Sequence, residues 1–327
     1  MTVHVIATGG TIASHFDGNE WSETPGRQLV DELGPLPFAV EVHDVASGPS
    51  SNLSTADMVG VVEHARALLD AGAQGVVVVH GTDTLELTAF VTQLLLGTTP
   101  TRRPVVFTGS MRVHSHPAPD GPGNLRDAIA VAGSEVAVGR EVLICLNGEL
   151  HAADRVQKRS AASVDAFHSA PFAPVGSVVD GDVRFTAEPS PRTAAAALVG
   201  DVPLVTCWPG MPPSVLEAAL REPDGSPVRA AVVEVFGDLN GARDLWAPVH
   251  AAWKAGTLVV LTSRAFTPTT TSDGLALLGA VGAGGLTAQK ARLAAMAALG
   301  STTTRDDAVA FLHHHALHHD AGERSTR

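Results

Sequence analysis

The 327-residue chain is 45% hydrophobic and 17% charged, which excludes a disordered polymer and allows two domains of ordinary size or one large one. A net charge of −12 with no Lys/Arg cluster argues against nucleic-acid partners, and no apolar stretch is long and uniform enough to span a bilayer. The chain enters its first strand at once, without the basic and apolar regions of a signal peptide, so the expected location is cytoplasmic.

Val3 to Ile6 is a run of β-type residues that leads into Ala7-Thr8-Gly9-Gly10-Thr11-Ile12-Ala13. Ser14 to Gly34, with Gly18, Asn19, Pro25 and Gly26 around Trp21, reads as a long loop. Its place directly after Thr11 makes it an expected lid. Thr55 to Ala71 carries Met58, Val61, Val62, Ala65, Leu68 and Leu69 at helical spacing, with Ser54 or Thr55 as N-cap and Gly72 beyond the end. A buried strand, Gly75 to Val79, then opens into His80-Gly81-Thr82-Asp83-Thr84. A helix (Leu85–Leu96), a strand (Pro104–Phe107), a helix (Leu125–Ala132) and a strand (Val142–Leu146) follow.

From about Asp182 to Asp201 the pattern dissolves into Pro, Ser, Arg, Thr and Ala, the mark of a linker. Alternation then resumes with strand Val202–Cys207, helix Ser214–Arg221, strand Arg229–Val235, helix Asp244–Ala255 and strand Thr257–Leu261. Two terminal helices are expected near Ala288–Leu299 and Arg305–Leu317, and no repeat is visible. Strands alternating with helices predict α/β architecture with a mostly parallel sheet covered on both faces. The expected division is a larger N-terminal domain over 1–185, a linker over 186–201 and a smaller C-terminal α/β domain over 202–327. Cys145 and Cys207 lie in apolar runs outside any CxxC or metal-ligand pattern; buried free thiols are the preferred reading, and a disulfide stays open.

Ligands of open α/β sheets bind beyond the carboxyl ends of the strands. Two threonine-bearing turns meeting there point to an amide hydrolase with a threonine nucleophile. A threonine hydroxyl needs a base to take its proton. The chain has very few lysines, and Lys158 sits in what reads as a polar loop, Asp154–Ser160. A lysine whose pKa is lowered can accept a proton, and Asp83 beside Thr82 would hold its ammonium. Gly9-Gly10 fits neither dinucleotide nor P-loop motifs, and no G-x-S-x-G elbow occurs. The run His313-His314-His315 with His318 and His319 reads as a solvated helix face rather than a metal site. His114 and His116, around Ser115, are expected to line the pocket rather than to ligate.

The segments Thr8–Ala13 and His80–Thr84, the latter with Thr88-Ala89 after it, resemble the two signature motifs of the bacterial-type L-asparaginases. The likeness continues in order through Gly109-Ser110-Met111-Arg112, Asp120-Gly121-Pro122, Asn124-Leu125, Lys158, Asn240, Ser263-Arg264 and Gln289-Lys290-Ala291-Arg292. The resemblance implies a two-domain asparaginase-like fold and hydrolysis of L-asparagine to L-aspartate and ammonia without a cofactor. It implies Thr11 as the nucleophile forming an acyl-enzyme, and Thr82, Asp83 and Lys158 as the second catalytic cluster. Asp83 would also bind the substrate α-amino group, with Gly10, Ser50, Ser51 and Ser110 as further substrate contacts. Asn240 would approach from a neighbouring subunit of a homodimer or homotetramer.

The sequence departs from the family pattern at three places. The chain has no tyrosine, although the family carries one in the lid, and Trp21 is the nearest aromatic. Ser51 stands where a glutamine is common. A glutamate expected shortly after Thr271 has Asp273 as its nearest counterpart. These departures bear on the activation of Thr11 and on substrate affinity. Two alternatives accompany them: a glutaminase-asparaginase of broader specificity, since one methylene discriminates modestly, and a catalytically weakened amino-acid-binding or amidotransferase relative. Threonines that merely cap turns are the least favoured reading.

Overall fold

The structure, a computed structural model, describes residues 2–265 and 273–317. Thr271, His318 and His319 lie outside the described residues, as does the side chain of Asp273. The chain divides after Ala194 into two compact units.

In the first unit the strands are β1 (Thr2–Ala7), β2 (Ser14–Phe16), β3 (Trp21–Glu23), β4 (Ala39–Asp44), β5 (Gly75–Val79), β6 (Val105–Thr108), β7 (Leu143–Leu146), β8 (Glu149–Ala152), β9 (Gln157–Lys158), β10 (Phe167–His168), β11 (Gly176–Val179) and β12 (Asp182–Phe185). Its helices are α1 (Gly26–Asp31), α2 (Thr55–Asp70), α3 (Leu85–Leu96) and α4 (Gly121–Gly133). The main sheet has the order β12-β11-β8-β7-β6-β5-β1-β4. The strands from β4 to β7 are parallel to their neighbours, while β8, β11 and β12 run antiparallel.

The parallel strands β5, β6 and β7 are buried throughout, as strands covered on both faces must be. Val3, Val5, Val77, Val79 and Cys145 pack in one core with residues of α1 and α4, while α2 and α3 cover the other face. Helix α2 begins with a reciprocal capping box between Ser54 and Asp57, which satisfies orphan donors of its first turn. Helix α3 is buried over its whole length. That is why its apolar residues are not confined to one stripe, and why its polar side chains Glu86, Thr88, Thr92 and Gln93 are buried as well.

In the second unit β13 (Leu204–Thr206), β14 (Ala230–Val235), β15 (Leu258–Ser263) and β16 (Val281–Gly282) form a parallel four-stranded sheet in that order. It carries α5 (Pro213–Ala219), α6 (Trp246–Lys254), α7 (Asp273–Leu278), α8 (Ala288–Ser301) and α9 (Arg305–His315). Both cysteines are free thiols, and burial raises the pKa of Cys145. No helix among the described residues is long and apolar enough to cross a membrane.

Three local expectations are corrected. Asp182–Phe185 is the edge strand β12 rather than the start of the linker; its apolar residues Val183 and Phe185 alternate with exposed Asp182 and Arg184 and pack on the core. Ser14–Gly34 is not a plain loop but the β2–β3 hairpin followed by α1. Its turn is held by Asp17, whose Oδ1 accepts from the backbone N–H groups of Asn19 and Glu20, both at 2.9 Å, with Gly18 at φ +103°. Lys158 lies in a short antiparallel ribbon, paired with Phe167.

Candidate active site

Counting the parallel strands alone, β4-β1-β5-β6-β7 is the order 2-1-3-4-5, so the chain changes direction between β1 and β5. A crevice opens at such a switch point, beyond the carboxyl ends of the strands. The two strands are in register, with Ala7 opposite Val79, so both threonine turns emerge side by side. The N–H and hydroxyl of Thr8 both donate to the Val79 carbonyl, at 3.0 and 2.9 Å. Gly10 has φ +90°, and a Cβ there would lie 2.4 Å from the Gly81 Cα. A Cβ on Gly81 would lie 2.7 Å from Ser50 Oγ. Glycine is required at position 10, where the loops touch backbone to backbone at a positive φ, and the missing side chain of Gly81 leaves room for the side chain of Ser50. The Ser50 loop closes the third side: the Thr84 hydroxyl donates to the Ser50 carbonyl at 2.9 Å.

Between these loops lies a cavity of about 360 Å³, lined among others by Gly10, Thr11, Ser50, Thr82 and Asp83. Lys158 Nζ donates to Thr82 Oγ1 and to Asp83 Oδ1, both at 2.8 Å. The lysine is four-fifths buried and the aspartate mostly exposed. Lys158 is held from behind: its backbone N–H donates to the carboxylate of Glu86, a buried residue in the first turn of α3. The Thr11 hydroxyl has no hydrogen-bond partner among the described residues and faces the cavity.

The turn carrying Thr82 is seated on a buried imidazole. His80 Nδ1 stands 2.8 Å from the Gly81 carbonyl oxygen, which can only accept, so Nδ1 carries the proton. Its Nε2 then accepts from the Thr88 hydroxyl at 2.9 Å. Burial holds the pKa of His80 down at about 4, against the smaller opposing effect of its bond to Gly81, so the ring is neutral at ordinary pH.

Of the residues expected from sequence, the structure thus gathers Gly10, Thr11, Ser50, Thr82, Asp83 and Lys158 around one crevice. Ser51 is exposed on the same short 3₁₀ turn as Ser50, outside the cavity lining. Ser110 is buried and donates to the Arg112 carbonyl at 2.7 Å, also outside the lining. Asn240 belongs to the second unit, where Nδ2 donates to the Gly237 carbonyl at 2.9 Å. It follows two left-handed residues, Asp238 and Leu239, at φ +53° and +56°. His114 and His116 do not line the cavity: His114 Nε2 pairs with Glu32 at 3.0 Å, and His116 Nδ1 accepts from the Ala118 N–H at 3.0 Å. His114 thus reaches a remote carboxylate just past α1, while His116 turns back on its own loop.

The hairpin does form a cavity wall, through Ser14, Trp21, Ser22 and Glu23. Trp21 is largely exposed and packs against Phe16 at a ring-centroid distance of 4.9 Å. Glu23 is the residue that sequence reasoning missed. Its Oε1 accepts from the Gly48 N–H at 2.8 Å, tying the hairpin to the Ser50 loop, and with Asp83 it makes two carboxylates in the lining. The signal was the Asp-Gly-Asn turn, which makes Trp21 and Glu23 alternate positions of a strand.

Fold and crevice together define an enzyme of the two-unit α/β class, with a polar cleft at a sheet switch point. The model of the N-terminal asparaginase domain matches residues 2–191, and that of the glutaminase/asparaginase C-terminal domain matches 201–312. The chain is 33% identical to a probable L-asparaginase of Deinococcus radiodurans, over 93% of this chain and 94% of that protein. It is 30% identical to L-asparaginase 2 of Escherichia coli, over 93% and 90%. The crystal structure of a probable cytoplasmic L-asparaginase from Campylobacter jejuni superposes with a TM-score of 0.85 at 26% identity, covering 95% of this chain and 98% of that one. The chain belongs to the asparaginase family, and it is an amidohydrolase.

Proposed function

We propose that this enzyme hydrolyses L-asparagine to L-aspartate and ammonia, with Thr11 as nucleophile. The observation that carries the reading is Lys158 Nζ, 2.8 Å from both Thr82 and Asp83, in the crevice that Thr11 faces. Thr11 Oγ1 attacks the side-chain amide carbon, and the carbonyl oxygen takes up the electron pair against backbone N–H groups of the two turns. Because Thr82 Oγ1 already accepts from the lysine, its own proton is free to point into the cavity. Thr82 passes that proton to the leaving nitrogen and is reprotonated by Lys158, whose charge Asp83 had balanced. The proton that Thr11 Oγ1 gives up on attack is relayed to the lysine and restores its charge. Ammonia leaves an ester on Thr11. Water then attacks the ester, its proton is relayed through the same Lys158–Thr82 pair to Thr11 Oγ1 as the ester bond breaks, and aspartate is released with Thr11, Thr82 and Lys158 restored. The carboxylates of Asp83 and Glu23 favour a substrate bearing an α-ammonium group, and Ser50, which lines the same cavity, meets its α-carboxylate in this reading.

The same reading takes the chain as a cytoplasmic homo-oligomer, with Ser51, Ser110 and Asn240 as further contributors to substrate binding. Ammonia release measured on asparagine and glutamine tests it. Asparagine is expected to give the higher kcat/KM, and Thr11→Ala to abolish turnover. Equal values on the two amides would overturn the assignment to asparagine. Binding of asparagine without ammonia release by the wild-type enzyme would overturn the catalytic reading itself.

A further inference from the structure

A second polar cluster lies on the main sheet, and none of its residues lines the catalytic cavity. In the parallel pairing of β1 with β4, His4 is opposite Glu41 and Ile6 is opposite His43. Side chains alternate between faces along a strand. Val3, Val5, Val40 and Val42 take the core face with α1 and α4, so His4, Glu41 and His43 share the other face. His4 Nδ1 stands 3.0 Å from His43 Nε2 and 3.9 Å from Glu41 Oε2. The His4 and His43 rings stack with centroids 5.3 Å apart. One ligand atom from each of the three residues lies within 4.8 Å of the other two. From α2, His64 presents its ring edge-on to His43 at 5.2 Å. Its Nε2 is buried without a hydrogen-bond partner among the described residues.

We propose that His4, Glu41 and His43 form a binding site for a divalent first-row transition ion of the zinc type. Two imidazoles and a carboxylate suit zinc, copper or nickel and discriminate against magnesium and calcium, which prefer all-oxygen shells. Tetrahedral coordination at about 2.05 Å would set ligand atoms about 3.3 Å apart. The two imidazoles therefore need to part by only a few tenths of an ångström, and Glu41 Oε2 to close on His4 Nδ1 by about half of one. Glu41 is largely exposed and His4 mostly buried, so the carboxylate makes the larger movement, and water completes the shell. The ion would replace a single shared proton between two imidazoles by bonds to both. It clips β4, the edge strand, to β1. Strand β4 continues through Gly48 into the Ser50 wall of the crevice, and its last residue, Asp44, accepts from the Gly26 N–H at 2.8 Å. The site stabilises this edge and takes no part in the reaction, because binding to the folded state alone adds to folding stability.

Titration calorimetry of the metal-free, full-length protein with Zn2+ tests the site, alongside thermal unfolding with and without Zn2+. A competing set, the terminal histidines, is removed in a separate variant, His313→Ala/His314→Ala/His318→Ala/His319→Ala. Binding should survive in that variant but weaken at least about tenfold in His43→Ala, and the Zn2+-dependent rise in Tm should disappear with it. Glu41→Gln, at an exposed side chain, should weaken binding in the same direction and serves if His43→Ala does not fold. Zn2+ affinity unchanged in both His43→Ala and Glu41→Gln, or lost in the terminal variant, would overturn the proposal. Because no readout is catalytic, the result is independent of which amide the enzyme hydrolyses.

Discussion

Protonation of His80 is expected to loosen the catalytic turn in acid. The ring is fully buried, donates through Nδ1 to Gly81 and accepts through Nε2 from Thr88. Its pKa drops from the ordinary 6.5 to about 4. The unfolded chain therefore binds a proton between these values that the native state refuses. The stabilisation is complete above about pH 6.5 and is lost as pH falls toward about 4. The difference between the two pKa values is worth about 3 kcal/mol in all, and about 2.5 kcal/mol of it should be gone at about pH 4.5. His80→Asn keeps a donor toward Gly81 but cannot be protonated. Hydrogen exchange in the segment Gly75–Leu96 across a urea series, at about pH 7 and about pH 4.5, reads the local opening free energy of both proteins. The variant should start less stable at neutral pH and show a pH-dependent loss smaller by about 2.5 kcal/mol. Parallel losses in the two proteins would show that His80 is not the group being titrated.

Gly10→Ala places a methyl against the Gly81 backbone at a positive φ; a loss of at least about 2 kcal/mol in stability, with activity falling alongside, is expected in thermal unfolding and ammonia-release assays. Lys158→Met should lower kcat at least about a hundredfold. Lys158→Arg should fail to restore it, because a guanidinium holds its proton. Glu23→Gln retains an acceptor for the Gly48 N–H but removes a charge from the crevice, so KM for asparagine should rise by up to about fivefold with kcat nearly unchanged. An unchanged KM would remove Glu23 from substrate attraction. Arg192→Met should cost about 1–3 kcal/mol, seen as a lower Tm, because Asp154 is almost fully buried and receives the guanidinium at 2.8 and 3.2 Å, while Arg155 still stands 3.9 Å from its other oxygen.

Much of the central sheet and its helices was legible in the residues. The buried strands β5, β6 and β7 are unbroken apolar runs, and α2 announces itself by periodicity and by Ser54. The hairpin β2–β3 and the edge strand β12 were not legible, because short, half-exposed strands lack a strong pattern and form by pairing with something remote. The same holds for the β9–β10 ribbon, whose partner to Lys158, Phe167, gives no hint of the pairing in sequence. Glu23 escaped notice for this reason: its role depends on a hydrogen bond to Gly48, 25 residues away. The expectation for His114 and His116 failed from a different cause, since a place in a loop expected near the pocket says nothing about which way a side chain turns.

From the sequence alone followed the α/β class, the placement of Thr11 and Thr82 just past strand ends, and the candidacy of Lys158 and Asp83. These depend on local rules: apolar runs make strands, glycines permit tight turns, and a carboxylate beside a threonine invites a cation. Tertiary structure alone decided that Lys158 reaches Thr82 across 76 residues of chain and that Gly10 meets Gly81 backbone to backbone. It also decided that His4 on β1 shares a face with Glu41 and His43 on β4. Such convergence is set by strand order and register, which arise from the packing of the whole unit rather than from any one segment.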